Sequence, residues 1–511
     1  MAVLDARHRR SVLAALADAT EPLDVLVVGG GITGAGVALD AATRGLRVAL
    51  VEAHDLAFGT SRWSSKLVHG GLRYLAAGQL PIAYESAIER HHLMTAIAPH
   101  LIRPLRQVIP DHGSSGRTAL IRAGFGAGDL LRRTAGTPSS VLPGPVRLSA
   151  TETLELCPAT RRAGLRGAVG GADGQLVDDA RLVVAVARTA AAFGASICTR
   201  TRADRVTGTG ARLTDTLTGE SFDVAARSVI NAAGVWAGQV DNSLHLRPSR
   251  GTHLVFDAQR FGNPTGALTV PIAGSLSRFV FALPEQLGRV YVGLTDVDAP
   301  GAIPDVPTSS DAEIDFLLDS INAALEEPVS RADIRGTFAG LRPLIGTRHG
   351  GSSSDTEDLA DVSRRHRVRV TDDTLVGVIG GKLTTYRRMA QDAVDAAVTA
   401  AGLRCGACVT TTTPLVGAAG APASSDLPAS LIARFGSEAT KVADATAIDR
   451  PLEPIAEDLD VTRAEVAFAV THEGALTVDD VLHRRTRIGL VDADADLARA
   501  AVTDVVDALS P

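Results

Sequence analysis

A triple glycine stands between an apolar run and a helical one near the start of the chain. Asp24 to Val28 is apolar and stops at Gly29-Gly30-Gly31, Ile32 to Gly45 reads as a helix, and Arg47 to Glu52 reads as a second strand. Strand, glycine turn, helix and strand within about thirty residues make the βαβ unit of a dinucleotide-binding fold. In Gly29-Gly30-Gly31-Ile32-Thr33-Gly34, Gly29 is expected to allow the tight turn. Gly31 is expected to let the backbone approach a pyrophosphate at the positive helix N-terminus, and Gly34 to let the helix pack close to the sheet. Glu52 ends the second strand, where a carboxylate accepts from a ribose hydroxyl and disfavours a 2′-phosphate.

The 511 residues predict two to four domains. Hydrophobic residues at 45% and charged residues at 21% are globular proportions. A net charge of -7 gives no basic face for nucleic acid. Four cysteines make no disulfide framework. Cys405 and Cys408 form a lone CxxC without a second ligand pair, so no metal is expected. The N-terminus has no signal-like apolar region, and no run reaches the ~20 apolar residues of a membrane span. A cytoplasmic protein is expected, with peripheral contact on the inner face of the membrane left open.

Further along, 82 to 98, Val177 to Phe193, Asp311 to Glu327 and Leu383 to Ala401 read as helices. Residues 137 to 147 read as a Pro/Gly/Ser linker, residues 250 to 300 as short β runs, and the chain beyond about 425 as mostly helical.

Two further segments favour FAD over NAD. Gly59 to Tyr74 packs three glycines, four Ser or Thr hydroxyls, a Lys, a His and two Arg into sixteen residues, offering many donors to a phosphate or a flavin ring. Val229 to Trp236 is a strand ending in small residues, Ala233 and Gly234 among them, and resembles the second glycine turn of many flavoproteins. The fold class is therefore α/β.

At this point the segments Gly29 to Gly36, Gly59 to Leu75, Asp178 to Leu182, Phe338 to Leu344 and Gly380 to Arg387 resemble FAD-dependent glycerol-3-phosphate dehydrogenases. Ser65-Lys66-Leu67-Val68-His69-Gly70-Gly71-Leu72-Arg73-Tyr74-Leu75 and Gly380-Gly381-Lys382-Leu383-Thr384-Thr385-Tyr386-Arg387 are the most specific matches. The resemblance implies an FAD-binding Rossmann-like domain similar to the D-amino-acid-oxidase group, a β-rich substrate domain and a helical C-terminal domain. The expected boundaries are an N-terminal helix at 1–21, FAD-binding segments at 22–98, 165–238 and 337–402, a cap insertion at 99–164, a substrate domain at 239–336 and the helical domain at 403–511. It also implies oxidation of sn-glycerol 3-phosphate to dihydroxyacetone phosphate, with electrons passed to a quinone.

By the same resemblance FAD is held by Gly29, Gly30, Gly31, Ile32, Thr33, Gly34 and Glu52, by Thr60, Ser61, Ser65, Lys66, Leu67, His69, Gly70 and Gly71, and by Ala233, Gly234, Gly381, Leu383 and Thr384. No cysteine lies in the flavin loop, so the FAD is expected to be non-covalent. A dianionic phosphate needs cations, and Arg73, Arg342, Arg364 and Lys382 are the candidates. The base should titrate near neutrality, which points to His253, with His69 orienting flavin or loop. The catalytic set is thus His253, Arg342 and Lys382. Only three of the 51 Lys plus Arg residues are lysine, and two of them, Lys66 and Lys382, fall inside the two most specific motifs.

The acceptor stays open between a quinone and oxygen. The short interval from His253 to Lys382 favours the dehydrogenase over the oxidase branch, which carries an insertion there. A flavin amine or amino-acid oxidase on the same fold is the alternative. Arg117 to Arg133 interleaves arginines with Leu120, Ile121, Phe125, Leu130 and Leu131 as a candidate membrane-facing stretch, although Gly124, Gly126 and Gly128 weaken a helix there. A homodimer is also left open.

Overall fold

The computed structural model describes residues 3–71, 74–75, 78–113, 115–272, 278–345, 365–420, 424, 426–444 and 447–509. The glycine-turn unit forms as the sequence predicts, with strand Leu23–Val28, helix Ile32–Thr43 and strand Val48–Val51. Val25 to Val28 pair in parallel with Val48 to Val51, and on the other side with Ser228 to Asn231. Val25, Leu26 and Val27 are fully buried. A strand covered on both faces reads as a continuous apolar run, which is why this one was visible.

The strand order across this sheet is Arg367–Val370, Val376–Ile379, Ser221–Asn231, Leu23–Val28, Val48–Val51 and Ser196–Cys198. Helix Asp179–Ala192 and helix Tyr386–Ala401 pack beside helix Ile32–Thr43. Gly36 permits the second contact, since a Cβ there would stand 2.8 Å from the Tyr386 ring.

A second, mostly antiparallel sheet carries strands Ile102–Asp111, Gly167–Leu176, Leu246–Asp257, Ala267–Pro271, Phe279–Glu285, Arg289–Gly293 and Gly336–Ile345. The loop after Gly59 joins it through strand Leu67–Val68, which pairs with Gln175 and Gly174. One continuous loop thus links the two sheets.

The C-terminal part is helical, with Val466, Leu482, Ala498 and Val502 at its core. Buried ion pairs fasten it to the first sheet's layer. Arg181 meets Glu473 at 2.8 Å, Arg188 meets Glu438 at 2.6 Å, and Arg484 and Arg485 both meet Asp55 at 2.6 and 2.9 Å.

Three expectations change. Residues 137 to 147 are not a free linker: Leu142 is 1% exposed, and strand Val146–Leu148 pairs with Ala168 to Gly170. The helix predicted to Glu327 ends at Asn322, whose side chain bonds both the N–H and the carbonyl of Val329 and turns the chain there. Ser115–Thr134 is one helix despite its glycines. Phe125 anchors it among Ile109 and Val169, in a space that Gly171 leaves clear, so packing overrides the weak local propensity.

Candidate active site

A cavity of about 1630 Å³ lies between the two sheets and is lined from both. At one end is the glycine turn. Gly29 adopts φ +111°, and a Cβ on it would stand 2.7 Å from the Ala232 carbonyl oxygen. A Cβ on Gly34 would stand 1.8 Å from the Gly29 carbonyl oxygen. Gly31 opens the helix without a side-chain cap, which leaves first-turn N–H groups facing the cavity, while the Ile32 N–H donates to the Ser61 hydroxyl at 2.9 Å. Glu52 accepts from the N–H groups of Gly30 at 2.6 Å and His54 at 2.9 Å. Burial pushes its carboxyl up, against the pull of those two donors.

Gly29, Gly31, Ile32, Thr33 and Glu52 line this end. Gly30 and Gly34 lie behind it and shape the turn. Thr60 and Ser61 line the middle, where the Thr60 hydroxyl donates to the Leu341 carbonyl at 2.6 Å. Ala233 and Gly234 approach from the strand Ser221–Asn231 side, and Gly381, Leu383 and Thr384 from the start of the helix at Tyr386. Ser65, Leu67, His69 and Gly71 also reach the cavity. Gly70 stands behind it: its N–H donates to Asp173 at 3.1 Å, and a side chain on it would collide with the Arg90 guanidinium.

Lys66 departs from expectation. It is 1% exposed and does not line the cavity. An ammonium has three donors. Those of Lys66 reach Asp179 at 2.8 Å and the carbonyls of Ser64 and Arg62 at 3.1 and 3.2 Å. The ammonium is thus committed to the loop.

His253, Arg342 and Lys382 all line the cavity. The His253 ring is 2% exposed, stacks on Phe338 at 4.6 Å, and meets the Ser65 hydroxyl through Nε2 at 2.8 Å. Burial first, then the charges of Lys66 and Arg342, hold its pKa well below the ordinary value, lower than the near-neutral titration expected of the base. Arg342 lies across Gly251, where a Cβ would clash with its guanidinium, and pairs with Asp296 at 3.1 Å. Lys382 donates to the Ser86 hydroxyl and lies 4.0 Å from the Tyr74 ring centroid. Arg73 and Arg364 lie outside the described residues.

The first part of the chain, residues 24–356, matches the FAD dependent oxidoreductase family model, and residues 408–511 match the C-terminal domain of alpha-glycerophosphate oxidase. The chain is 59% identical over 502 residues to glycerol-3-phosphate dehydrogenase 1 of Mycobacterium tuberculosis, covering 97% of this chain and 96% of the relative. It belongs to the FAD-dependent glycerol-3-phosphate dehydrogenase family. A mitochondrial glycerol-3-phosphate dehydrogenase of Arabidopsis thaliana is 35% identical, over 97% of this chain and 83% of its own length. Among solved structures, a glycerol-3-phosphate dehydrogenase from Bacillus halodurans complexed with FAD superposes with a TM-score of 0.73, at 25% identity, covering 99% of this chain and 94% of that one.

The cofactor of this glycerol-3-phosphate dehydrogenase fold is FAD, and the residues present fit it. The turn is cleared of Cβ atoms where a pyrophosphate must approach, Gly31 at the helix N-terminus contributes no side-chain cap, and Glu52 stands just after the strand end.

Several partners had no signal in the sequence. Asp173 lies under His69 and is bound by Arg90 at 2.6 Å. Burial works to raise its pKa, yet Arg90 and His69 hold it below the usual carboxylate value. Asp179 was part of a matching segment, but its pairing with Ser64 and Lys66 was not legible. Arg487 of the tail bonds the Arg62 carbonyl at 2.6 Å and pairs with Asp178 at 3.2 Å, placing the C-terminal domain directly beneath the flavin loop.

Proposed function

We propose that this chain oxidises sn-glycerol 3-phosphate to dihydroxyacetone phosphate and passes the electrons to a quinone. The observation that carries the reading is that a buried imidazole, His253, and two cations, Arg342 and Lys382, line the same cavity as the dinucleotide turn. When bound, FAD supplies the two-electron acceptor for the hydride.

The protein's residues do the rest. Lys382 and Arg342 neutralise the phosphate dianion and orient the alcohol, the first as a compact charge and the second as a planar fork. His253 takes the proton of the secondary hydroxyl. Anaerobic titration with glycerol 3-phosphate is expected to bleach the flavin band, and glycerol is expected to leave it unchanged. Bleaching by amines or amino acids instead would favour the oxidase alternative.

His253→Ala is expected to lower turnover by about a hundredfold or more while FAD stays bound, the usual contribution of a positioned base. Because burial disfavours the imidazolium, the acid limb of kcat/KM is expected below the ordinary imidazole value of 6.5. A limb at or above that value, or full activity in the variant, would remove His253 as the base.

A quinone acceptor is supported by the apolar wing of the cavity, where Ile121 and Phe125 of helix Ser115–Thr134 face Phe279 and Phe281. Leu120 and Leu130 of the same helix are 53% and 62% exposed, which suits a peripheral membrane contact. Among the described residues no helix is long and apolar enough to cross a membrane. Stoichiometric reoxidation by a short-chain quinone under argon, with slow reoxidation by air, is the expected result; the reverse would mark an oxygen-using enzyme.

A further inference from the structure

On the substrate wall, the Ser65 hydroxyl and Nε2 of His253 share a hydrogen bond at 2.8 Å. The opposite edge of that ring leaves Nδ1 buried with no partner among the described residues. The ring cannot swing away, because Phe338 stacks on it at 10° and its Cδ2 sits where a Cβ of Gly293 would be. A neutral imidazole has one donor nitrogen and one acceptor nitrogen, and the partner of one decides the state of the other.

The place of Ser65 is set from below. Lys66 sits in the left-handed region at φ +55°, and its ammonium returns to the carbonyls of Arg62 and Ser64 and to Asp179. The N–H and hydroxyl of Ser64 both donate to the same Asp179 oxygen at 2.8 Å. Arg487 holds the Arg62 carbonyl from the tail. The turn is therefore bonded on both sides of Ser65, and the serine hydroxyl is the group it presents to the histidine.

We propose that Lys66 and Ser65 are positioning residues: Lys66 locks the Arg62-to-Lys66 turn onto Asp179, so that the Ser65 hydroxyl stays bonded to Nε2 of His253 and fixes the orientation and tautomer of the ring on the cavity wall. The inference rests on His253 being the base. The charged groups that face the ring are Lys66 with its partner Asp179, and Arg342 with its partner Asp296; Ser65, Phe338 and Gly293 are neutral. Both cations oppose protonation of the ring.

The test compares Ser65→Ala, Lys66→Met and His253→Gln as purified full-length holoenzymes, with flavin content, kcat, KM and the pH profile measured for each. Ser65→Ala and Lys66→Met are expected to lose about tenfold or more in kcat, with KM for glycerol 3-phosphate within about twofold and FAD retained. Lys66→Met is also expected to move the acid limb of kcat/KM to higher pH, because a cation beside the ring is gone. Adding Ser65→Ala to His253→Gln is expected to cause no further loss, since the serine acts through the histidine. Unchanged kcat and an unchanged acid limb in Ser65→Ala and Lys66→Met, beside an impaired His253→Gln, would overturn the proposal. Loss of FAD from Lys66→Met with Ser65→Ala at the wild-type rate would overturn it as well. Wild-type turnover in His253→Gln would instead remove the base assignment on which it rests.

Discussion

Replacing Gly34 by Ala is expected to yield a folded protein that has lost its flavin. The added Cβ would lie 1.8 Å from the Gly29 carbonyl oxygen, a backbone atom that cannot rotate away. Either the helix Ile32–Thr43 withdraws or the Gly29 turn opens, and both displace the N–H groups that a pyrophosphate needs. Overpacking of this kind costs about 1–3 kcal/mol, which is roughly fivefold to more than a hundredfold in cofactor affinity when it falls on the binding turn. The flavin-to-protein absorbance ratio after gel filtration measures it. Gly126→Ala is the control, because that helical glycine has open space where the Cβ would go and lies outside the turn. An unaltered ratio in Gly34→Ala would mean that the turn does not hold the cofactor.

The second large effect is expected at Asp55. This carboxylate is 1% exposed and accepts from Nε of Arg484 at 2.6 Å and from Nη1 and Nη2 of Arg485 at 2.9 Å each. Removing one partner of a buried ion pair leaves uncompensated charge and costs about 3–5 kcal/mol. Asp55→Ala leaves Arg484 with Asp480 and Arg485 with only the Glu473 carbonyl, so it is expected to lower thermal stability by up to about that amount and to expose the C-terminal helices to protease. Arg499→Ala breaks an exposed pair with Asp479 and is expected to change stability by only about 0–1 kcal/mol. Equal melting curves for Asp55→Ala and the parent would refute the role of this joint.

The same joint has a defined pH dependence. Burial works to raise the Asp55 pKa, but Arg485 and Arg484 outweigh it and hold it at about 2, against 3.8 for an ordinary aspartate. A depressed carboxylate pKa contributes stability that is fully present above the unfolded value and lost as pH falls through the folded one. The parent protein is therefore expected to lose this contribution between about pH 4 and pH 2, and Asp55→Ala to lack that part of the acid transition.

How much of the site was legible depended on how far apart its partners lie in the chain. The glycine turn and Glu52 were readable because a turn, a helix start and a strand end are fixed by neighbouring residues. Arg342, Lys382 and His253 were readable as candidates because their segments match a known family, and the fold does bring them to one cavity. The helix at Ser115–Thr134 was obscured because its stability comes from Phe125 packing on another sheet, not from its own glycine-containing sequence.

The sequence by itself determined the βαβ unit, the FAD turn and the family to which the chain belongs, because those signals are local or carried by contiguous motifs. Only the tertiary structure decided what Lys66 does. In sequence it stands in a flavin motif and reads as a ligand; in the fold, Asp179, 113 residues away, draws its ammonium inward. The tail was decided the same way, since Arg485 finds Asp55 across 430 residues. A buried charge takes whatever counter-charge the fold delivers, because leaving it unpaired in a low-dielectric interior is too unfavourable. That choice is made by packing over distances that no local pattern encodes.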